Sequence, residues 1–326
     1  MAGMKAVLGT MTFGESVFAP RVGQFVQSFL DAGYEELDTA YVYNDGNCER
    51  LLGQVLPGLD RPYKIATKVN PRITGRLDGE AAYAQLKESL RRLQLERVDT
   101  VYLHFPDPAT PVRSVLAAMA DLHAQGKFTE LGLSNFPAWM VADVWHICDR
   151  EGWVKPTVYE GIYNPLTRHA EEELRACLRQ FGLRFYAYNP LAGGLLSGRY
   201  AAFDDAPGDG RFTHRPNYKG RYWKKSFFDA IALLRTASEK EGVGLAEATL
   251  RWLAHHSMLD PAEGDAVLIG ASKPEHLRQN LAALAAGPLP ENLVSAFREA
   301  WTITKGDSPA YFTLYAGKGS VGGEKK

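Results

Sequence analysis

Four short strings of the chain each close an apolar run on a polar side chain. They are Glu36-Leu-Asp38-Thr-Ala-Tyr41 running on to Tyr43, Ile65-Ala-Thr-Lys68, Val101-Tyr-Leu-His104 and Leu131-Gly-Leu-Ser134-Asn135. Runs this short and rich in Ile, Val, Leu and Tyr suit buried parallel strands. A polar residue closing such a run sits at the strand's carboxyl end, the face on which a (β/α)8 barrel keeps its chemistry. Each has a structural reading when taken singly: an Asp there caps the next helix, a Lys is solvated, and an apolar-flanked His is satisfied by backbone. In chain order at successive strand ends, they form a set able to handle a proton.

Reducing a carbonyl requires a hydride and a proton for the developing alkoxide. A free tyrosine, with a pKa near ~10, is a poor acid at neutral pH unless its surroundings tune it. Lys68 is expected to lower the pKa of a neighbouring phenol, with Asp38 holding Lys68 charged and fixed in direction. His104 is expected to hydrogen-bond and orient the carbonyl oxygen, with proton relay as a further role. Tyr41 and Tyr43 compete for the part of the acid. None of the histidines falls in a His-Glu-x-x-His or other zinc spacing, so no metal is expected.

The elements that must position these groups follow from the alternation of strand-like and helix-like stretches, the mark of a parallel α/β architecture. Strands are predicted at 5–9, 35–39, 64–69, 99–104, 130–134, 157–161, 184–189 and 266–270, the eight that a closed barrel needs. Amphipathic runs lie between them: Tyr83, Leu86, Leu90 and Leu93, then 115–122, 140–147 and 174–181. Further helices are predicted at 228–240, 245–255, 274–285 and 292–303. The stretch 198–223 has no clean period and holds Pro207, Gly208, Gly210, Pro216 and Gly220, yet is rich in aromatic and basic residues. It is predicted to be an irregular loop covering cofactor and substrate.

At 326 residues and 45% apolar, the chain suits one barrel domain, 1–316, followed by a Gly-, Ser-, Lys- and Glu-rich tail, 317–326, expected to be disordered. A net charge of −1 without a basic stripe argues against nucleic acid or an acidic membrane surface as partner. Three scattered cysteines, Cys48, Cys148 and Cys177, read as reduced thiols. The first predicted strand begins almost at once and no run is long enough to span a membrane. A cytoplasmic protein is expected.

No Gly-x-Gly-x-x-Gly follows the first strand; Gly9-Thr-Met-Thr-Phe-Gly14 is too widely spaced for a Rossmann turn. Two later segments carry the nucleotide signal. Asn189-Pro-Leu-Ala-Gly-Gly-Leu-Leu-Ser197 follows the seventh strand, with paired glycines that let backbone N–H groups approach a pyrophosphate. Gly270-Ala-Ser272-Lys273-Pro274-Glu275 runs from the eighth strand into a helix, with Ser272 the expected N-cap. Both lie where barrels bind phosphate.

Asp38-Thr-Ala-x-x-Tyr43, Thr67-Lys68, His104-Phe-Pro-Asp107 and Gly132-Leu-Ser134-Asn135-Phe136 resemble the aldo-keto reductases, over nearly the whole chain to about Phe312. Tyr159-Glu160-Gly-Ile-Tyr-Asn164 and Phe185-Tyr-Ala-Tyr188-Asn189-Pro190-Leu191-Ala-Gly193-Gly194 look like the aflatoxin-aldehyde and succinic-semialdehyde reductase branch. The resemblance implies a (β/α)8 TIM barrel that reduces aldehydes, and also dicarbonyls or activated ketones, with NADPH. It implies that Tyr43, not Tyr41, is the acid.

The same resemblance implies Ser272, Lys273, His276, Gln279 and Asn280 around the adenosine 2′-phosphate and adenine. It implies Tyr188 stacked on the nicotinamide, with Ser134, Asn135 and Glu160 at its carboxamide. Asp38, Asn189, Pro190, Leu191, Gly193, Arg199 and Arg211 would be further cofactor contacts, and His104, Tyr218 and Arg221 would meet the substrate. Lys273 and Arg278 favour NADPH over NADH. Two departures stand out. Position 160 is usually Gln in the related sequences, whereas an ionised Glu accepts hydrogen bonds but cannot donate. The semialdehyde enzymes end with an Arg near the substrate, whereas this chain ends its resemblance on Phe312-Thr-Leu-Tyr-Ala-Gly317, leaving Arg221 as the carboxylate partner.

An NADPH-binding sensor or regulatory subunit would keep the same motifs and stands as the alternative. A barrel glycosidase lacks a pair of strand-end carboxylates in matching context. The expected partner is a small carbonyl substrate, and the expected state is a monomer or homodimer.

Overall fold

The computed structural model describes residues 3–200, 202–204 and 210–315. Eight strands, β1 (Lys5–Gly9), β2 (Glu36–Asp38), β3 (Lys64–Val69), β4 (Thr100–Leu103), β5 (Glu130–Ser134), β6 (Pro156–Ile162), β7 (Arg184–Tyr188) and β8 (Ala266–Ile269), close a parallel barrel in sequence order. All eight fall where the pattern predicts, with no end displaced by more than one residue. β4 is buried along its whole length and β5 along all but its first residue, because parallel strands are covered on both faces.

Register alternates side chains between two cores. Val7, Tyr102, Val158, Tyr186, Ala266 and Leu268 fill the barrel interior. A much larger apolar layer packs strands against helices. Gly132 makes room in the interior, because a Cβ there would stand 2.4 Å from the Tyr102 ring. That ring in turn lies 5.1 Å from the Lys68 ammonium, so the glycine helps set the floor of the site.

Helices Gly79–Leu93, Val112–Ala124, Ala138–Glu151, Leu174–Gln180, Lys225–Lys240, Leu245–His255, Pro274–Ala285 and Glu291–Thr304 match the predicted ones. Arg21–Asp31 and Asn47–Val55 are helical too and were not among them. Helix Gly79–Leu93 shows why such segments fold locally. Asp78 caps it, accepting from the Ala81 N–H at 2.9 Å. Arg91 and Arg92 occupy its last turn, where cations complement the dipole. The covering segment is more regular than expected, for it holds two short helices, Arg211–His214 and Pro216–Tyr222. Positions 205–209 of that segment, and the predicted tail 317–326, lie outside the described residues.

Candidate active site

At the carboxyl ends of β2 and β3, Lys68 is fully buried and its ammonium is held from three sides. It donates to Asp38, donates to the Thr39 carbonyl at 2.9 Å, and lies 3.2 Å from Oε2 of Glu160. Burial pulls the ammonium's pKa down, but the charges of Asp38 and Glu160 outweigh it and leave it above the ordinary lysine range. Burial pushes Asp38 up against the pull of Lys68. Glu160 is pushed up to about 8, by burial first and then by Asp38, with Lys68 opposing.

Tyr43 sits on the turn that leaves β2, 5.5 Å from Lys68 measured at its ring centroid. Asn44 and Asp45 follow in the left-handed region, at φ 49° and 53°, which Asn and Asp tolerate best among residues with a Cβ. Asn44 pins the turn by donating to the Met11 and Phe13 carbonyls at 2.9 and 2.7 Å. The structure separates the two phenols. Arg92 stacks on the Tyr41 ring at 4.1 Å and donates to the Tyr41 carbonyl, while pairing with buried Glu49 at 3.1 Å. Tyr43, not Tyr41, faces the large cavity at this end of the barrel.

The expected lowering of the Tyr43 pKa is not found. Its ammonium neighbour is engaged by Asp38, Glu160 and Thr39. Burial, then the charges of Asp38 and Glu160, hold the phenol well above its ordinary value.

His104, directly after β4, is buried, and its ring stands 6.0 Å from that of Tyr43 at 81°. Burial, then the charges of Lys68 and Arg72, keep the imidazole well below its ordinary pKa, so it is neutral at pH 7. Its support comes from Asn70 and not from backbone: Asn70 Nδ2 lies 3.1 Å from His104 Nδ1. Gln85, buried on helix Gly79–Leu93, holds Asn70 in turn, accepting from its N–H at 2.8 Å and donating to its carbonyl at 3.1 Å. Neither Asn70 nor Gln85 was singled out in the sequence. The available signal was an Asn between a strand and a Pro.

The cavity has a volume of about 1160 Å³ and gathers almost every predicted site residue. Asp38, Tyr43, His104, Ser134, Asn135, Glu160 and Tyr188 line one part; Asn189, Pro190, Leu191, Gly193, Arg199, Arg211, Tyr218 and Arg221 line the side under the covering helices; Ser272, Lys273, His276, Gln279 and Asn280 line the far arm. Lys68 alone of the set lies beneath, reached through Asp38. Lys273 and Arg278 are both exposed, and of the two only Lys273 lines the cavity. Ser272 is not the N-cap either. Lys273 takes that position in extended backbone, with no side-chain cap bond, and Pro274 and Glu275 form the first turn.

Local geometry fits a nucleotide. Asn135 and Asn189, after β5 and β7, are both left-handed, at φ 62° and 56°. Asn135 donates to the His104 carbonyl at 2.9 Å and accepts from the Tyr188 hydroxyl at 2.7 Å, fixing that ring over the cavity. Asn189 is held in place by accepting from the Tyr218 hydroxyl at its Oδ1, 3.2 Å, and from Asn164 Nδ2 at its carbonyl, 3.0 Å. At Gly193, φ is 71° and a Cβ would come 2.8 Å from Tyr218, so the glycine lets the covering helix close down. Arg215 ties that cover to the barrel through a bidentate pair with Glu15, at 2.9 and 3.1 Å, and a 2.8 Å bond to Asn44 beside Tyr43. Among the described residues, no group of three or more His, Cys, Asp or Glu could hold a metal ion, and no helix is long and apolar enough to cross a membrane.

Comparison with known proteins agrees with this geometry. The aldo/keto reductase family profile matches residues 5–302. Aflatoxin B1 aldehyde reductase member 2 of Homo sapiens is 48% identical over 320 residues, covering 94% of this chain and 89% of that protein. Aldo-keto reductase family 7 member A3 of Homo sapiens is 47% identical over 319 residues, covering 94% and 96%. A more distant relative, oxidoreductase sirO of Leptosphaeria maculans, is 33% identical over 320 residues, covering 94% and 96%.

Proposed function

The chain belongs to the aldo/keto reductase family and is an oxidoreductase, and on that premise we propose that it reduces aldehydes to alcohols with NADPH and with Tyr43 as proton donor. The observation that carries this reading is the meeting of Tyr43 and His104, rings 6.0 Å apart, on one cavity above the buried Asp38 and Lys68.

Tyr188, Asn189, Gly193, Ser272 and Lys273 would hold the dinucleotide, along an arm that ends at the start of helix Pro274–Ala285, where the helix dipole favours a phosphate. When bound, reduced nicotinamide supplies the hydride. His104, neutral and with Nδ1 held by Asn70, directs its other ring nitrogen's N–H to the carbonyl oxygen and orients it. Tyr43 keeps its proton at neutral pH, and the strongly basic alkoxide formed by hydride transfer takes it. Lys68 and Asp38 set the electrostatics around that phenol without touching substrate. Lys273, at the cap position of the far arm, supports NADPH over NADH through charge on the 2′-phosphate.

The aldehyde substrates follow the names of the similar reductases, and dicarbonyls or activated ketones carry the same reacting group. Three free thiols support a reducing, cytoplasmic setting. The alternative of a cofactor-sensing regulatory subunit has no support among these relatives. Turnover measured with NADPH and with NADH across aromatic, carboxylated and dicarbonyl aldehydes tests the reading. Sustained NADPH-dependent reduction is expected, and a single burst without cycling would favour the sensor instead.

A further inference from the structure

Lys68 is one ammonium facing two carboxyl groups, and the side chains of all three are at least 96% buried. With every group ionised the cluster would carry a net charge of −1 inside the barrel. A buried uncompensated charge is costly, and one added proton removes it. Lys68 cannot be the group that changes, because both carboxyls favour its charged form. The two carboxyls are not equal. Asp38 accepts a hydrogen bond from the ammonium, whereas Oε2 of Glu160 lies farther from the same nitrogen, at 3.2 Å. The carboxyl with the weaker claim on Lys68 is the one that takes the proton.

Among the described residues, Lys68 is the cation that acts most strongly on Glu160. Facing Glu160 on β6 are Asp38 from β2, Lys68 from β3, Tyr102 from β4, Tyr188 from β7 and Tyr43 from the turn after β2. Its β5 neighbour in register is Ser134, which is uncharged.

We propose that Glu160 is a further positioning residue of the reduction. At neutral pH it holds one proton next to Asp38 across Lys68, and the loss of that proton in mild alkali weakens Tyr43 as an acid. An ionised Glu160 adds negative charge near the phenol, which then grips its proton harder. The titration falls at about 8, close enough to neutrality to shape the pH profile. The consequence for turnover rests on the reductase reading above; the buried proton does not.

The experiment separates the two. Infrared difference spectra of the unmodified protein, prepared with unlabelled and with carboxyl-13C glutamate, are recorded from pH 6 to 10. A protonated-carboxyl band that shifts with glutamate labelling, is lost as pH rises through about 8, and is missing in Glu160→Gln is expected. In parallel, reduction by the wild type should fall about tenfold per pH unit above about 8, a limb that Glu160→Gln lacks. A wild-type protein with no glutamate carboxyl band at neutral pH overturns the proposal, and needs no variant to fold. So does an alkaline limb identical in wild type and Glu160→Gln. A titrating glutamate band in a protein that reduces no carbonyl would support the proton assignment and sink the reductase reading instead.

Discussion

Nδ2 of Asn70 stands 3.1 Å from Nδ1 of His104, while Oδ1 of the same amide accepts from the Arg72 N–H at 2.9 Å. The second bond fixes which way the amide faces. An NH2 group can only donate, so Nδ1 must accept, and in a neutral imidazole the proton then resides on Nε2. His104 is thereby set as a hydrogen-bond donor. Asn70→Asp keeps the shape but accepts from the ring, stripping the proton from Nε2 in the neutral form. Its kcat/KM should fall about tenfold or more, and that of Asn70→Ala by roughly two- to tenfold, the worth of one ordinary hydrogen bond. Cofactor Kd should hold in both. Wild-type rates in Asn70→Asp would show that the tautomer does not matter.

Neutral His104 also leaves a mark on stability. Its folded-state pKa is held well below the unfolded value of ~6.5. Between those two values the unfolded chain binds more protons, so stability is intact above about pH 6.5 and declines as pH falls below it. In His104→Gln this part of the decline should vanish. Thermal unfolding of both proteins across pH 4 to 8 checks the sign, and parallel curves would mean the ring is not kept neutral.

Cofactor choice rests on fewer charges than the sequence suggests. With Arg278 outside the cavity, Lys273 alone should discriminate. Charge-assisted hydrogen bonds contribute roughly 1.5–3 kcal/mol, so Lys273→Ala should weaken NADPH at least about tenfold more than NADH. Arg278→Ala should leave the ratio unchanged. Fluorescence titrations with both cofactors decide, and equal losses in Lys273→Ala would remove the lysine from the phosphate.

Arg221 lines the cavity with its guanidinium 5.5 Å from the Tyr218 ring centroid and 6.0 Å from that of Tyr222. A guanidinium beside two aromatic rings at the cavity is suited to a bidentate carboxylate. Arg221→Ala is expected to raise KM for succinic semialdehyde about tenfold while leaving a neutral aromatic aldehyde within about twofold. Matching losses on both substrates would assign Arg221 to the shape of the cover instead.

The barrel was legible because its strands are short, apolar and bounded by polar residues, and because Asp38, His104 and Ser134, which close three of the runs, line the cavity, with Lys68 closing the fourth beneath it. What escaped the sequence depends on distance through space. Asn70 and Gln85 lie 15 positions apart, and nothing in their spacing announces that one holds the other. The upward shift of Tyr43 is not legible in sequence because the ammonium that would lower it is claimed by Glu160 and Asp38, which only the fold brings to Lys68. Ser272 looked like a cap from its residue type, but the chain stays extended through Lys273, and Pro274 then opens the helix. The short helices at Arg211–His214 and Pro216–Tyr222 carry no full apolar period. They gain order by burying Phe212, Tyr218 and Tyr222 against each other's turns and the Ala192–Ser197 turn after β7.

Proton donation by Tyr43 is the step on which aldehyde reduction here depends. The most direct measurement is a comparison of Tyr43→Phe with Tyr41→Phe, taking NADPH Kd and single-turnover reduction of one aldehyde on each folded protein. Tyr43→Phe should bind NADPH within about twofold of wild type and lose about 10²–10⁴-fold in rate, the usual worth of a positioned acid. Tyr41→Phe should keep its rate, because Arg92 engages that ring away from the cavity. A folded Tyr43→Phe protein reducing aldehyde at the wild-type rate would contradict the account.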